Sequence, residues 1–236
     1  MSATRNDDVI ALSDVSKVYY TEQIETHALH RVTLTIHHGE FVAIVGPSGA
    51  GKSTLLSVLG LIEGVTSGTY VLGGTPVHGL SPTARARIRN RDIGFIFQSF
   101  NLIETLTVFE NIELPLRYRG VKSAQRRSAV EQMITRVGLM SRRDHYPSQL
   151  SGGEQQRAAV GRALVGSPKV ILADEPTGNL DSKNASVVME LLSDLHEDGT
   201  TICIVTHDER CARRAQRAVS MCDGIIEVGA PAVSLV

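Results

Sequence analysis

Residues 46–53, with the sequence GPSGAGKS, constrain the possible folds of this chain more than any other stretch. They follow the apolar run FVAIV and open the helical pattern KSTLLSVLG, and so they fit G-x-x-x-x-G-K-[S/T] between a strand and a helix. Glycines let successive backbone N–H groups turn inward around an anion, and the first turn of the helix adds partial positive charge. The stretch therefore predicts a phosphate-binding loop in an α/β protein.

Two side chains at the end of this loop indicate what it binds. The Lys52 ammonium can neutralise terminal phosphates, and the Ser53 hydroxyl can ligate Mg²⁺. We therefore expect the loop to hold the polyphosphate of a nucleotide together with Mg²⁺. The residues predicted to bind it are Gly46, Pro47, Ser48, Gly49, Ala50, Gly51, Lys52, Ser53 and Thr54.

Strand and helix patterns alternate along most of the chain, which predicts a largely parallel core sheet. The alternation breaks at residues 105–147, where helical patterns follow one another without a strand, so we expect a small helical subdomain there. The core is expected over residues 9–104 and 148–228, with tails at 1–8 and 229–236. Predicted strands are 32–36, 41–45, 69–72, 93–97, 170–173, 202–205, 218–221 and 225–228; predicted helices are 52–59, 108–117, 123–137, 155–165, 183–196 and 209–215.

Two adjacent acids, Asp174 and Glu175, end the apolar strand VILA. At the carboxyl end of a parallel strand, such acids point toward the ligand crevice of an α/β sheet. Asp174 is suited to hold Mg²⁺, and Glu175 could polarise an attacking water. The alternative is a plain acidic turn that ends the strand.

A second helix start, in QLSGGEQQR, also has open N–H groups and an available hydroxyl. Ser151, Gly152 and Gly153 precede the helix formers there. Either the protein binds two anions, or one nucleotide is shared between two copies that each contribute a different half. A plain N-cap is the third possibility, and the residues by themselves leave all three open.

Charge and apolar content narrow the classes of function. A net charge of −1 and a pI near 6.7 give no global positive field to attract nucleic acid or anionic lipid. The N-terminus MSATRNDDV lacks the order of a secretory signal, and no apolar run approaches the ~18 residues that a membrane span needs. The 3 cysteines have no metal-type spacing, as expected in a reducing compartment. We expect a cytoplasmic chain that does not bind nucleic acid.

The motifs together resemble those of the ATP-binding-cassette (ABC) ATPases. The phosphate loop, LSGGE, ILADE and VTHD occur in the order typical of that family, and the similarity covers about Val9 to Val228. The resemblance implies an α/β P-loop NTPase fold of ABC type: a mainly parallel core sheet flanked by helices, an N-terminal antiparallel β subdomain and a small helical subdomain. It also implies a head-to-tail homodimer around ATP and Mg²⁺, and so it favours the shared-nucleotide alternative.

The resemblance implies a role for individual residues. Gln98 matches the glutamine that approaches Mg²⁺ and the attacking water, and His207 matches the switch histidine that contacts the γ-phosphate. Tyr19 falls where an aromatic ring stacks on adenine, with Tyr20 as the neighbouring possibility and a buried strand-end tyrosine as the alternative. The implied catalytic residues are Glu175, His207 and Gln98, and the implied Mg²⁺ ligands are Ser53, Gln98 and Asp174. Asp181 corresponds to the D-loop residue. The signature comprises Leu150, Ser151, Gly152, Gly153 and Glu154, where Glu154 replaces a common glutamine.

Residues 95–116 and 174–182 are similar to the ATPase subunits of lipoprotein-release and macrolide-export systems and of related resistance and cell-division complexes. This similarity implies a separate membrane permease, with the chain peripheral on the inner face of the cell membrane. Export, lipoprotein release or mechanotransmission would then be driven by dimer closure. The alternatives are a cassette that regulates cell division through a membrane partner, or a soluble ABC ATPase acting on nucleic acid or ribosomes.

The helical subdomain is expected to carry the groove that receives the permease. Its predicted apolar wall consists of Phe97, Phe100, Leu102, Val108 and Phe109, with core packing as the alternative. Four nearby arginines are predicted to form a solvated helix face, because the overall charge offers no support for lipid or nucleic-acid binding. They are Arg85, Arg87, Arg89 and Arg91.

Overall fold

Two β-sheets and the helices around them make up the computed structural model, which describes residues 7–20 and 25–227. The strands are β1 Asp8–Tyr20, β2 Glu25–His37, β3 Phe41–Val45, β4 Ser67–Leu72, β5 Thr75–Pro76, β6 Ile93–Ile96, β7 Val170–Asp174, β8 Ile202–Thr206, β9 Arg217–Cys222 and β10 Ile225–Ile226. The helices are α1 Lys52–Leu59, α2 Pro82–Asp92, α3 Val108–Tyr118, α4 Ser123–Arg136, α5 Gly152–Leu164, α6 Ser182–Glu197 and α7 Glu209–Ala212, with short 3₁₀ turns at Met140–Arg142 and Pro147–Gln149.

The larger sheet has the order β10-β9-β3-β8-β7-β6, and every neighbouring pair except β10 with β9 is parallel. Alternate residues of β3 enter two different apolar cores: Val42 and Ile44 pack in one, and Phe41 and Ala43 pack in the other. Because helices or the second sheet cover both faces, these strands read as continuous apolar runs. The predicted parallel core sheet is confirmed.

The smaller sheet is antiparallel, in the order β2-β1-β4-β5, and it confirms the antiparallel β part expected near the N-terminus. Its strand β1 is absent from the strands predicted by pattern. The register of β1 against β2 shifts between Leu12 and Val15, and Asp14 adopts a φ of 49° within that irregularity. This bulge interrupts the alternation of apolar and polar residues that the prediction depends on.

Residues 105–149 form helices, 3₁₀ turns and the short segments between them, and contain no strand. Helix α3 begins at a reciprocal cap, in which the Thr107 side chain accepts from the Glu110 N–H and the Glu110 carboxylate accepts from the Thr107 N–H. Helix α7 ends at Ala212, short of the predicted Ala215. In the part of the chain that the structure describes, no helix is both long and apolar enough to cross a bilayer. The predicted tails and the end of the last predicted strand, Val228, fall largely outside the described residues.

Asn111, which is fully buried in α3, holds the loop that precedes this helix. Its Nδ2 donates to the carbonyl oxygens of Ile103, Leu106 and Thr107, and its Oδ1 accepts from the Ile103 N–H. In Asn111→Leu the Ile103 N–H and the carbonyl oxygens of Ile103 and Leu106 lose a partner in a partly buried loop, while the Thr107 carbonyl keeps its bond from the Asn111 N–H. We therefore expect a loss of about 1–3 kcal/mol in the free energy of unfolding. Urea unfolding measures this loss; the exposed control Gln125→Leu should change stability by less than about 0.5 kcal/mol. Equal stability of the two variants would contradict the role of Asn111.

Candidate nucleotide-binding site

The loops that carry the predicted site residues start side by side at one edge of the parallel sheet. Val45 lies opposite Thr206, Asp174 opposite Val205, and Ile96 opposite Ala173. The segments that follow these strands are the phosphate loop, the Asp-Glu pair, the residues around Gln98 and the loop of His207. The fold therefore brings four separate motifs to one crevice, at the carboxyl ends of its strands.

The phosphate loop ends in a helix start without a side-chain cap. Gly51 is the N-cap of α1 at a φ of 95°, a left-handed conformation that favours glycine. Lys52 is 8% exposed, and its Nζ donates to the carbonyl oxygens of Gly46 and Pro47 at 2.8 Å each. The first N–H groups of α1 are thus open to an anion, and one ammonium is held on the same loop.

Neighbouring elements set the shape of this loop. A Cβ on Gly46 would lie 2.1 Å from the Met221 carbonyl oxygen, so no larger residue fits there without moving the backbone of β9. The turn between β9 and β10 contributes the Gly224 N–H, which donates to the Ala50 carbonyl at 2.9 Å. The His30 N–H of β2 donates to the Gly224 carbonyl at 2.8 Å. Both sheets therefore support the loop.

The two acids after β7 occupy different environments. Burial and the neighbouring Glu175 charge raise the pKa of Asp174, while Lys52 opposes that shift. Glu175 has a φ of 43°, and its N–H donates to the Val205 carbonyl at 2.9 Å. Its Oε1 lies 2.7 Å from Nδ1 of His207, an exposed side chain. Since a carboxylate only accepts hydrogen bonds, Nδ1 carries the proton in this contact, and His207 orients the Glu175 carboxylate.

Gln98 is tied to the loop that follows the two acids. Its Nε2 donates to Oδ1 of Asn179 at 3.2 Å, and Nδ2 of Asn179 donates to the Gln98 carbonyl at 3.1 Å. The sequence reading missed Asn179, although its place between Glu175 and Asp181 was a usable signal. It also missed Gln156, which is fully buried and donates through Nε2 to the carbonyl oxygens of Pro176 and Phe97.

The signature serine and the predicted D-loop aspartate both act as helix N-caps. The Ser151 hydroxyl accepts from the Glu154 N–H, and the Glu154 carboxylate accepts from the N–H and O–H of Ser151. Asp181 caps α6 by accepting from the Asn184 N–H at 2.9 Å. Within residues 7–20 and 25–227, neither Ser151 nor Asp181 forms a hydrogen bond with the phosphate loop. Within one copy of the chain, the signature at the start of α5 is therefore not hydrogen-bonded to the phosphate loop at the start of α1.

Arg142 neutralises the acid beside the signature serine. Its Nε donates to Oε1 of Glu154 at 2.9 Å. This bond and those from Ser151 lower the pKa of Glu154 to about 2. The negative charge of Glu154 at this helix start is therefore paired with a guanidinium.

Tyr19, the last residue but one of β1, has 37% of its surface exposed, and the Lys17 ammonium lies 4.8 Å from its ring centroid. The alternative of a buried tyrosine at this strand end is wrong. Tyr20 is more exposed, at 69%. The stacking role of Tyr19 stays a prediction.

The candidate magnesium ligands provide a hydroxyl from Ser53, an amide oxygen from Gln98 and a carboxylate from Asp174. These are oxygen donors of the type that Mg²⁺ prefers. Across residues 7–20 and 25–227, no group of three or more His, Cys, Asp and Glu side chains is placed to hold a metal. The donor set therefore fits a cation whose remaining ligands are phosphate oxygens and water.

A cleft of about 880 Å³ lies between α2, β6, the end of α3 and α5. Among the predicted wall residues, only Phe97 lines it. Val108 is buried in the core and Leu102 and Phe109 pack against that core, which agrees with the core-packing alternative for these three. The solvated-face prediction holds for Arg87 and Arg91, which are exposed, whereas Arg85 and Arg89 are half-buried. The arginines that line this cleft are Arg87, Arg89, Arg91, Arg119 and Arg162.

Residues 29–178 match the family model described as ABC transporter. The chain is 48% identical over 219 residues to the lipoprotein-releasing system ATP-binding protein LolD of Shewanella denitrificans, which covers 92% of this chain and 94% of that protein. It is 46% identical over 226 residues to the macrolide export ATP-binding/permease protein MacB of Rhodospirillum rubrum. That match covers 95% of this chain but only 35% of MacB, so the chain spans about a third of the latter's length.

Solved structures share this fold. A dimeric post-hydrolysis structure of the ATP-binding cassette MJ0796, bound to ADP and Pi, superimposes with a TM-score of 0.84 at 41% identity, over 92% of this chain and 96% of the other. The cassette cbiO1 of Clostridium perfringens, part of the transporter complex cbiONQ, gives a TM-score of 0.83 at 28% identity, over 94% of this chain and 88% of the other.

Proposed function

The chain belongs to the ABC transporter family, and we propose that it is the ATP-binding and ATP-hydrolysing subunit that energises a separate membrane permease. The observation that carries this proposal is the meeting of the phosphate loop, Asp174, Glu175 and His207 at one edge of the parallel sheet. The LolD relative, matched over nearly its whole length, is named for the ATP-binding component of a lipoprotein-releasing system. The chain would thus sit at the inner face of the cell membrane through its permease.

Hydrolysis begins with ATP held by the phosphate loop and the Lys52 ammonium. Glu175 accepts a proton from a water that attacks the γ-phosphorus in line, while the bond from that phosphorus to the bridging oxygen of ADP breaks. His207, bonded to the same carboxylate, keeps it aimed at the water. Mg²⁺ held by Ser53, Gln98 and Asp174 would offset charge on the transferring phosphoryl group. Lys52 and the open N–H groups of α1 stabilise the charge that develops on the leaving side.

The working unit in this proposal is a head-to-tail homodimer. Within residues 7–20 and 25–227, the start of α5 forms no hydrogen bond with the phosphate loop of its own copy, and we assign Ser151 and Gly153 of each copy to the γ-phosphate held by the other. The dimeric MJ0796 structure, with ADP and Pi bound, supports this arrangement. ATP binding then closes the dimer, and hydrolysis reopens it.

A pull-down from detergent-solubilised membranes tests the permease partner. The Glu175→Gln variant with ATP serves as bait, since it is expected to stay closed, and the parent chain with ADP is the matched control. We expect an integral membrane protein of the permease class to co-purify with the bait. Recovery of nucleic acid or ribosomes with no membrane protein would support the soluble alternative and refute the proposal.

The Arg142–Glu154 pair yields a prediction about dimer formation. Without the guanidinium, the Glu154 carboxylate would repel the γ-phosphate that the adjacent Ser151 is proposed to contact. We expect Arg142→Gln to weaken ATP-driven dimerisation about tenfold, equivalent to about 1.4 kcal/mol. The double variant Arg142→Gln/Glu154→Gln should regain most of the affinity, because both charges are then absent. Analytical ultracentrifugation in the Glu175→Gln background measures both; a double variant as weak as the single one would mean that Arg142 acts only on local structure.

A further inference from the structure

Lys17 is a largely buried lysine beside the tyrosine that is predicted to stack on the nucleotide base. It lies two residues before Tyr19 on β1, a spacing that places side chains on one face of a strand. Its side chain is only 12% exposed, although lysines usually lie on the surface. The ammonium lies over the Tyr19 ring, 4.8 Å from the centroid, pairs with the Glu63 carboxylate at 2.7 Å and donates to the Gly64 carbonyl at 3.1 Å. Three neighbouring groups therefore fix the position of this ammonium.

The acid that pairs with Lys17 is attached to the helix of the phosphate loop. Glu63 belongs to the segment that follows α1, and this helix begins at Lys52 in the loop itself. The Glu63 N–H donates to the carbonyl oxygen of Ser57 in α1 at 3.1 Å, so the main chain of the acid is held against the helix. Lys17 therefore connects the strand that carries Tyr19 to the helix whose other end is predicted to hold the phosphates.

Other hydrogen bonds hold this part of β1 in place without the Lys17 side chain. The Val18 N–H donates to the Thr66 hydroxyl at 3.0 Å, and the Thr66 N–H donates to the Ser16 carbonyl at 2.8 Å. Because both bonds involve the main chain of β1, we expect the strand to keep its position when Lys17 is replaced. The contact that is then lost is the one between the ammonium and the Tyr19 ring.

The ammonium limits the orientations of the Tyr19 ring. The quadrupole of an aromatic ring attracts a cation to the face of the ring, and the attraction is stronger where the cation is partly desolvated. Since Glu63 and Gly64 already hold the ammonium, the ring must settle against it. Tyr19 still exposes 37% of its surface, which leaves area for a planar base. A ring that is oriented before the base arrives loses less conformational entropy on binding.

The charge of Lys17 distinguishes it from the lysine of the phosphate loop. Its ammonium is paired with the Glu63 carboxylate, so the pair adds little net charge near the nucleotide. The Lys52 ammonium is held by carbonyl oxygens, which orient it without cancelling its charge. Lys52 is therefore suited to attract phosphates, whereas the effect of Lys17 is confined to the aromatic ring.

We propose that Lys17 is a positioning residue, which orients the Tyr19 ring for the nucleotide base and, through Glu63, holds that ring in register with the helix of the phosphate loop. The proposal rests on the proposed function, since Tyr19 receives a base only if the chain binds ATP. Stacking recognises the flat face of a base. Lys17 should therefore matter for ligands that carry a base and not for a bare polyphosphate.

A comparison of ADP with pyrophosphate tests the proposal on the full chain, because the two ligands share a diphosphate and differ in the nucleoside. Lys17→Met keeps an unbranched side chain and removes the charge. We expect this variant to bind ADP about fivefold more weakly than the parent in calorimetric titration, since the ring is no longer held by a cation. The affinity for pyrophosphate, measured by competition with ADP, should equal that of the parent.

The matched control is Lys169→Met. Lys169 also pairs with an acid, Asp92, at 3.7 Å and lies near a glycine carbonyl, but it precedes β7 at the end of the sheet opposite the nucleotide site. This variant should bind ADP as the parent does. Parental ADP affinity in Lys17→Met would overturn the proposal. An equal loss of affinity for ADP and pyrophosphate would also overturn it, because Lys17 would then act on the phosphate loop.

Tyr19→Ala shows whether Lys17 acts through the ring. If it does, Tyr19→Ala/Lys17→Met should bind ADP as weakly as Tyr19→Ala alone, because the second change removes a contact that no longer exists. In steady-state hydrolysis, Lys17→Met should raise the KM for ATP about fivefold and leave kcat unchanged, since the catalytic groups are not touched. Losses that multiply in the double variant, or a lower kcat with an unchanged KM, would contradict a role through Tyr19.

These measurements also separate this proposal from the proposed function. If the parent hydrolyses ATP and Lys17→Met binds ADP equally well, the positioning role is refuted and the proposed function is intact. If ADP binding depends on Lys17 as expected but the pull-down recovers no permease, the proposed function fails and the positioning role remains. A parent chain that binds neither ATP nor ADP would overturn both.

Discussion

Glu175→Gln is expected to slow ATP hydrolysis at least about a hundredfold while ATP remains bound. The amide keeps the size of the carboxylate but cannot accept the proton of the attacking water. Lys52 and the open N–H groups of α1 are unchanged, so the nucleotide is still held. Phosphate release measures the rate, and light scattering with ATP should show a dimer that persists.

The exposed control Glu197→Gln, near the end of α6, should hydrolyse ATP at the parental rate. Hydrolysis by Glu175→Gln at that same rate would show that another group takes the proton. Loss of ATP binding in Glu175→Gln would instead mean that the carboxylate shapes the phosphate site. Either result removes the assignment of Glu175 as the base.

Lys52→Ala is expected to weaken ATP binding about a hundredfold or more, because removing one member of a desolvated charge pair costs about 2–5 kcal/mol. The side chain is largely buried and lies on the loop itself, bonded to the carbonyl oxygens of Gly46 and Pro47. Calorimetric titration with ATP measures the loss, and Lys183→Ala, an exposed lysine at the start of α6, is the control. Parental ATP affinity in Lys52→Ala would exclude Lys52 from phosphate binding.

A thermal unfolding curve separates the two ways in which Lys52→Ala could lose ATP. If the transition of the variant matches that of the parent, the loop is intact and the missing ammonium accounts for the effect. A lower transition would show that the bonds from Lys52 to Gly46 and Pro47 also hold the loop. In that case Lys52→Met, which keeps much of the side-chain volume without the charge, isolates the electrostatic part.

The parts of the site that could be predicted from sequence are the parts that follow directly from buried strands. Gly46, Asp174 and His207 each come immediately after or at the end of such a run, and parallel strands align their carboxyl ends. The contact between Glu175 and His207 follows from the same alignment, since β7 and β8 are neighbours.

Features assembled from distant segments could not be predicted in this way. The arginine cleft combines α2, β6, α3 and α5, and the pattern of α2 alone indicates only a polar helix. Strand β1 was missed because its bulge at Asp14 breaks the period of two. Val108 packs in the core, as its helical periodicity favours, and the groove-wall expectation for it follows only from the family resemblance.

Helix α5 holds the main chain on both sides of Gln98, through Gln156 before it at Phe97 and Arg162 after it at Phe100 and Asn101. The same helix begins at Ser151, which is proposed to reach the neighbouring copy's nucleotide. If α5 tilts as a rigid rod, the glutamine segment must travel with it, and so must one wall of the arginine cleft. Contact of Ser151 with a second cassette and contact of a membrane protein with the cleft would then both displace α5, so that neither contact could form without affecting the other.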